Sequence, residues 1–182
     1  KSSCRFWFSL LYFGHDEKKI HILNGGLKKW IFENKPITKG ATEIIESNYI
    51  ANENENLVVS LDQIKKNVLS KSFNVIDARS LERFEGKVSE PRKGLRSGHI
   101  QNSFCLPFNQ CINQKTGEFK NLEELRELFN QNENIEKRLD QVFTCGSGVT
   151  AAVLAYAYKM VNNDYIPKIY DGSWSEYGKY PA

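Results

Sequence analysis

The sequence predicts an α/β fold in which helices flank a central parallel sheet. Short runs of β-branched or aromatic residues recur along the chain, and a helical pattern follows each of them. These predicted strands are residues 20–23, 74–77, 103–106, 141–144 and 168–170. Strands that alternate with helices form parallel sheets, and functional side chains then gather at the carboxyl ends of the strands.

Two helix starts are well marked. Ser60 with Gln63, and Asn121 with Glu124, have the spacing of a capping box. In that motif the first side chain accepts a hydrogen bond from a free N–H group of the first helical turn. Helices are therefore predicted to begin after Ser60 and after Asn121.

Length and composition suit one such domain with an appendage. The 182 residues are 40% hydrophobic, and a core of this size buries about two-thirds of the unfolded surface, so no disulfide or metal is needed. Apolar runs at 6–13 and 149–158 are shorter than the roughly 20 residues of a membrane span. The net charge of +3 comes from scattered Lys and Arg. We therefore expect a soluble protein that binds neither membranes nor nucleic acid.

The four cysteines show no paired spacing, which indicates reduced thiols. Cys105 and Cys111 have no His or Cys partners at metal-binding spacing, so no metal site is predicted. We expect both to be core or surface thiols and Cys4 to be a packing residue.

The chain is predicted to contain two units joined by a linker. Residues 39–56 are rich in Asn, Glu and Thr, as extended connections are. Residues 153–177 also align without gaps on residues 6–30 at an offset of 147. Residues 1–38 are therefore predicted to be the C-terminal remnant of a first repeat, 39–56 a linker and 57–182 the catalytic domain.

This organisation leaves the predicted helix at residues 6–13 without the rest of its own domain. The apolar side chains of Phe6, Trp7, Leu10 and Phe13 would then lack a core. We expect an exposed helix that associates with a separate first repeat or with another copy of the chain.

The clearest chemical signal is a loop of small residues that begins at Cys145. The loop follows a predicted strand and precedes an Ala-rich helix, so backbone N–H groups and the positive end of the helix dipole point at one place. A Cys145 sulfur at that place would be stabilised as a thiolate nucleophile. Gly146 and Gly148 let the backbone curve where a Cβ would obstruct. The alternative is a buried, unreactive cysteine.

Two other chemistries do not fit these residues. Cysteine-dependent phosphatases need an arginine six positions after the cysteine, where this chain has Ala151. A serine hydrolase needs the pattern Gly-x-Ser-x-Gly, but Cys145 and Val149 stand at the outer positions around Ser147.

The motifs resemble those of the rhodanese-like sulfurtransferases. The loop C-G-S-G-V-T at 145–150 is similar to the type that uses 3-mercaptopyruvate, whereas the thiosulfate type has charged residues at the second and third positions. Five further motifs occur in the same order as in the family: V-I-D-A-R at 75–79, R-F-E-G at 83–86, E-P-R at 90–92, S-G-H-I at 97–100 and Y-D-G-S-W at 170–174. Residues 23–30 resemble the end of the family's first repeat. Gln101-Asn102 replaces the family's Pro-Gly, which changes a turn.

The resemblance implies a rhodanese-like α/β domain in the cytoplasm or mitochondrion. It implies an enzyme that moves sulfur from 3-mercaptopyruvate through a Cys145 persulfide to thioredoxin, a small thiol or cyanide, and releases pyruvate without a cofactor. The alternatives are a thiosulfate-type enzyme or a module that only binds partners or carries sulfur. The implied site residues are Cys145 and Ser147 for catalysis and Arg83, Arg92, Gly146, Gly148, Val149 and Thr150 for substrate binding.

By the same resemblance, Arg83 and Arg92 would hold the substrate's carboxylate and carbonyl, because a guanidinium offers paired donors. From the residues alone they could instead be solvated charges, or Arg92 could pair with Glu90. Ser147 would pass a proton beside the sulfur, or make only a local backbone hydrogen bond. A His and an Asp of the family's first repeat complete this relay. Neither can be assigned here, so we expect the chain alone to transfer sulfur poorly.

Three further residues are predicted to be structural. Asp77 and Arg79 lie at a strand end, where a carboxylate and a guanidinium often pair. His99 lies between two loops and is predicted to tie them together.

Overall fold

The computed structural model describes residues 1–131 and 135–179. The predicted catalytic domain, 57–182, thus includes residues 132–134 and 180–182, which lie outside the described residues. Four strands form one parallel sheet: β1 (Asn74–Asp77), β2 (Ser103–Cys105), β3 (Gln141–Thr144) and β4 (Lys168–Ile169). Their order is β2-β1-β3-β4. The α/β class with a parallel sheet is therefore confirmed.

Seven α-helices occur in the described residues. They are α1 (Ser2–Tyr12), α2 (Gly26–Phe32), α3 (Leu61–Ser70), α4 (Leu81–Phe84), α5 (Leu122–Asn130), α6 (Ala151–Val161) and α7 (Ser173–Tyr177). The predicted capping boxes begin α3 and α5, each with both reciprocal hydrogen bonds. Residues 35–54 contain no helix or strand. Among the described helices, none has the length and apolar character needed to cross a membrane.

The sheet is buried on both faces. Successive strand residues point to opposite faces, so neighbours along β1 and β3 enter different cores. Ile76 and Phe143 pack in the larger cluster with residues of α1, α5 and α6. Val75 and Val142 pack in the second cluster with residues of α3 and α7. Helices therefore cover both faces of the sheet.

The predicted strand at residues 20–23 is wrong. This segment is not part of a strand, although Ile20 and Ile22 pack against the larger core cluster. In the described chain β4 is also bridged by Val58, at Ile169, but no strand or bridge involves residues 20–23. A loop that lays alternate side chains on a core has the same apolar pattern as a strand, and the pattern alone does not separate them.

The expectation that α1 lacks a core is also wrong for its central residues. Trp7 and Phe8 are each 2% exposed and lie in the cluster that contains most of α6. The Trp7 ring meets Tyr156 of α6 edge-on, with ring centroids 5.0 Å apart. Phe6, at 65% exposed, does face outward as expected. Helix α1 is thus an integral layer of the folded unit.

Trp7→Ala is expected to lower the free energy of unfolding by about 3–5 kcal/mol, because it leaves a large cavity between α1 and α6. Phe6→Ala, one residue away on the exposed face, is the matched control and should change it by about 0.5 kcal/mol or less. Urea unfolding of both variants measures the difference. Equal, small losses would show that α1 does not unfold with the rest of the molecule.

Candidate active site

Cys145 lies directly beyond the carboxyl end of β3, where the chain turns towards α6. The residue is 2% exposed. The N–H of Ser147 donates to Cys145 Sγ at 3.4 Å, and Thr150 is the N-cap residue of α6. Between them Gly148 has a φ of +75°, a conformation that residues with a Cβ rarely adopt. An N–H donor and a helix N-terminus both favour negative charge, so this loop suits a thiolate.

The segment after β4, residues 173–175, binds this loop through hydrogen bonds. Buried Ser173 Oγ accepts hydrogen bonds from the N–H groups of Cys145 at 3.3 Å and Gly148 at 2.9 Å. The N–H groups of Trp174 and Ser175 donate to the carbonyl oxygens of Cys145 and Gly146, at 2.9 and 3.0 Å. Ser173 has a φ of +53°, which costs about 1–2 kcal/mol in a residue with a Cβ. Four hydrogen bonds between this segment and the loop offset that cost.

Arg83 and Arg92 approach the loop on the side of Gly146. A Cβ on Gly146 would lie 3.0 Å from Arg83 Nη2 and 3.7 Å from Arg92 Nη1. Arg92 Nη1 is also 3.5 Å from the Gly146 carbonyl oxygen. The structure therefore brings both predicted arginines to the residue next to Cys145. Two guanidinium groups beside a thiol form a site that fits a small carboxylate.

Glu90 determines which edge of Arg83 is available. Its carboxylate, 1% exposed, accepts hydrogen bonds from Nη2 and Nε of Arg83 at 2.6 and 3.2 Å and from Nη1 of Arg79 at 2.9 Å. The alternative that Arg92 pairs with Glu90 is therefore wrong. Arg92 has no ion-pair partner among residues 1–131 and 135–179, so it is the better placed of the two arginines to bind a carboxylate with paired donors.

The predicted structural roles of three residues are confirmed. Arg79 Nη2 donates to Asp77 at 2.7 Å, and both side chains are 1% exposed. His99 Nδ1 lies 2.8 Å from the Phe84 carbonyl oxygen, and its ring stacks on Phe84 with centroids 4.0 Å apart. His99 thus joins the last residue of α4 to the segment before β2.

The other cysteines are poor nucleophiles in this fold. Burial raises the pKa of Cys4 to about 11, and it raises the pKa values of Cys105 and Cys111 to about 12. All three thiols are free and stay protonated near neutral pH. Cys111 is buried and Cys105 is partly exposed, which confirms them as core and surface thiols, and buried Cys4 packs in the larger core cluster as predicted.

Several residues at the site were not predicted for it. Ser173 and Asp171 were noted only as part of a motif, and Glu90 only as a partner of Arg92. Arg5 of α1, which binds Asp171, was not singled out at all. Ser147 is half-buried and Val149 is exposed, and their functional roles remain predictions.

A buried cysteine beyond a central strand of a parallel sheet, with a loop N–H at its sulfur, a helix N-terminus after it and two arginines at the next residue, defines an α/β domain whose candidate site lies at a thiol. Residues 60–180 match the family model of the rhodanese-like domain. The chain therefore belongs to the rhodanese-like family.

Known proteins with similar sequences include two kinds of sulfurtransferase. The chain is 35% identical over 176 residues to the 3-mercaptopyruvate sulfurtransferase of Homo sapiens, covering 97% of this chain and 58% of the human protein. It is 35% identical over 173 residues to the thiosulfate sulfurtransferase of Gallus gallus, covering 95% and 57%. The chain thus spans somewhat more than half the length of these relatives.

The fold matches that of a solved 3-mercaptopyruvate sulfotransferase, SseA from Escherichia coli. The TM-score is 0.79 at 33% sequence identity, and the match covers 95% of this chain and 62% of that chain. The chain therefore has the rhodanese fold.

Proposed function

We propose that the chain belongs to a sulfurtransferase that takes sulfur from 3-mercaptopyruvate and holds it as a persulfide on Cys145. One observation carries the proposal: a loop N–H group meets Cys145 Sγ while the guanidinium groups of Arg83 and Arg92 meet Gly146 next to it. This arrangement offers a nucleophilic sulfur and a carboxylate site within one small substrate's length. The human and Escherichia coli relatives support the choice of donor.

In the first step Arg92, with the free edge of Arg83, binds the carboxylate and carbonyl of 3-mercaptopyruvate. The Cys145 thiolate attacks the substrate's sulfur, and a sulfur–sulfur bond forms as the carbon–sulfur bond breaks. The electron pair of the broken bond leaves as pyruvate enolate, which takes up one proton to become pyruvate. The guanidinium groups stabilise the enolate, since they face its oxygens. Ser147 is the proposed residue for handling the proton beside the sulfur.

In the second step an acceptor removes the outer sulfur. A thiolate, from thioredoxin or a small thiol, attacks that sulfur and leaves with it as a new persulfide, while Cys145 returns to the thiolate. Cyanide would leave as thiocyanate by the same displacement. The Ser147 N–H and the N-terminus of α6 stabilise the charge in the resting enzyme and in the displacement, so no cofactor enters the scheme.

We also propose that residues 1–38 are the C-terminal remnant of a first rhodanese-like repeat, joined by 39–56 to the catalytic domain, 57–182. Adding the offset of 147 to the bounds of α1 and α2 gives 149–159 and 173–179, which overlap α6 and α7. The missing remainder of that first unit would be the natural partner. Four free thiols support a place in the cytoplasm or mitochondrion.

Mixing the protein with 3-mercaptopyruvate should add about 32 Da, one sulfur atom, to the peptide that contains Cys145. Initial rates should give a higher kcat/KM for 3-mercaptopyruvate than for thiosulfate, because Gly146 and Ser147 add no cation for a dianion whereas Arg92 suits a carboxylate. A higher kcat/KM for thiosulfate would favour the alternative donor. No mass gain with either donor would favour a module that only binds.

A further inference from the structure

An ion pair joins α1 to the turn that supports the active-site loop. Arg5 donates through both terminal nitrogens to the carboxylate of Asp171, with Nη2 at 3.1 Å from Oδ2. Asp171 lies two residues before Ser173, whose hydroxyl binds the N–H groups of the loop. Arg5 is outside the segment that matches the rhodanese-like domain, which begins at residue 60. A helix beyond that domain thus reaches its active site.

The pair also packs directly against the loop. A Cβ on Gly148 would lie 2.8 Å from Arg5 Nη1 and 3.2 Å from the Asp171 carbonyl oxygen, and it would overlap the Asp171 carboxylate. Gly148 is three residues after Cys145 in a tightly curved loop. The two charges are therefore immediate neighbours of the loop at Gly148, whereas Arg83 and Arg92 approach it at Gly146.

Arg5 remains charged in this position. Its hydrogen bonds to Asp171 raise the pKa of Arg5 against the effect of burial, and an anion at Cys145 would act in the same direction. The loop thus has charged groups at two of its glycines: a cationic pair backed by an anion at Gly146, and an ion pair at Gly148. They are Arg83 and Arg92 with Glu90, and Arg5 with Asp171.

We propose that Arg5 and Asp171 are positioning residues that set how readily Cys145 forms its thiolate, Arg5 favouring the anion and Asp171 offsetting that effect. This rests on the proposed function only in taking Cys145 as the reactive sulfur. Because the two side chains are 32% and 39% exposed, water and salt weaken their fields. Each charge should therefore act measurably but moderately.

The test is a pH titration of thiolate ultraviolet absorbance at low ionic strength, with the same variant carrying Cys145→Ser as the blank. Arg5→Met should raise the pH midpoint by about half a unit, because it removes a cation near the sulfur. Asp171→Asn should lower the midpoint by a similar amount, because it removes an anion. The double variant should have a midpoint close to that of the unmodified protein. Arg5→Lys keeps the charge, so its midpoint should also stay close to that of the unmodified protein.

A merely structural ion pair gives a different result. If the pair only held the loop in shape, either substitution would loosen the loop and weaken its N–H donors, so both midpoints would rise. If the midpoints of Arg5→Met and Asp171→Asn shift in the same direction, or if neither midpoint shifts, the proposal is overturned. Lys168→Met and Asp140→Asn remove an ion pair at the amino ends of the strands and should leave the midpoint unchanged. The titration needs no sulfur donor, so it remains decisive even if 3-mercaptopyruvate proves not to be the substrate.

Discussion

Replacing Cys145 by Ser is expected to lower the rate of sulfur transfer by about 10⁴-fold or more, as loss of a covalent nucleophile does. The hydroxyl of serine does not form a persulfide, and no other thiol can substitute. Burial keeps the pKa values of Cys105 and Cys111 at about 12, so both are protonated where the enzyme would work. The measurement is sulfide release from 3-mercaptopyruvate with a reduced thiol as acceptor.

Cys105→Ser and Cys111→Ala are the matched controls for this prediction. Each removes a sulfur from the same domain and should retain activity within about threefold. Alanine is chosen at Cys111 because that residue is 0% exposed and a hydroxyl there would be buried without need. Comparable losses in all three variants would show that the effect comes from folding and that Cys145 is not the nucleophile.

Glu90→Ala is expected to have the next largest effect, on both stability and substrate binding. It removes the shared partner of Arg79 and Arg83, and breaking a buried ion pair by removing one member costs about 3–5 kcal/mol. Arg83 would also lose the contact that orients it at Gly146, and misplacing a binding group by about 1 Å costs up to about 10²-fold. KM for 3-mercaptopyruvate should therefore rise by about tenfold or more.

Two further variants make the Glu90 result interpretable. Glu90→Gln keeps a hydrogen-bond acceptor for Arg83, so its KM should lie between those of the unmodified protein and Glu90→Ala. Asp140→Ala breaks an exposed ion pair with Lys168 and should cost about 0–1 kcal/mol with no change in KM. An unchanged KM in Glu90→Ala, with folding intact by circular dichroism, would remove Arg83 from the substrate site.

The parts of the fold that the sequence predicted well are those decided by neighbours along the chain. The bounds of β1 and β3 are as predicted, because each strand centres on a β-branched or aromatic pair, Val75-Ile76 and Val142-Phe143, and every residue of both strands is buried. The position of Cys145 followed from contiguous residues, a strand, a small-residue loop and a helix. The failed strand at 20–23 needed a pairing partner, and pairing is not visible in a local pattern.

The parts that could not be predicted depend on contacts across the chain. Arg5 and Asp171 are 166 positions apart, and Ser173 and Cys145 are 28 positions apart. Even the nearby Glu90 had several arginines within reach, and only the folded loop decides that Arg79 and Arg83 bind it. The burial of Trp7 likewise required knowing that α1 packs on α6.

The hydroxyl of Ser173 has a consequence for the order in which the molecule is built. Because Ser173 Oγ is an acceptor for the N–H groups of both Cys145 and Gly148, the curve of the loop depends on a residue synthesised well after it. On the ribosome, a nascent chain that has emerged only as far as α6 holds the cysteine but lacks the atoms that shape its surroundings. The surroundings of the Cys145 sulfur are therefore completed late in biosynthesis, once β4 has joined the sheet and most of the core has formed.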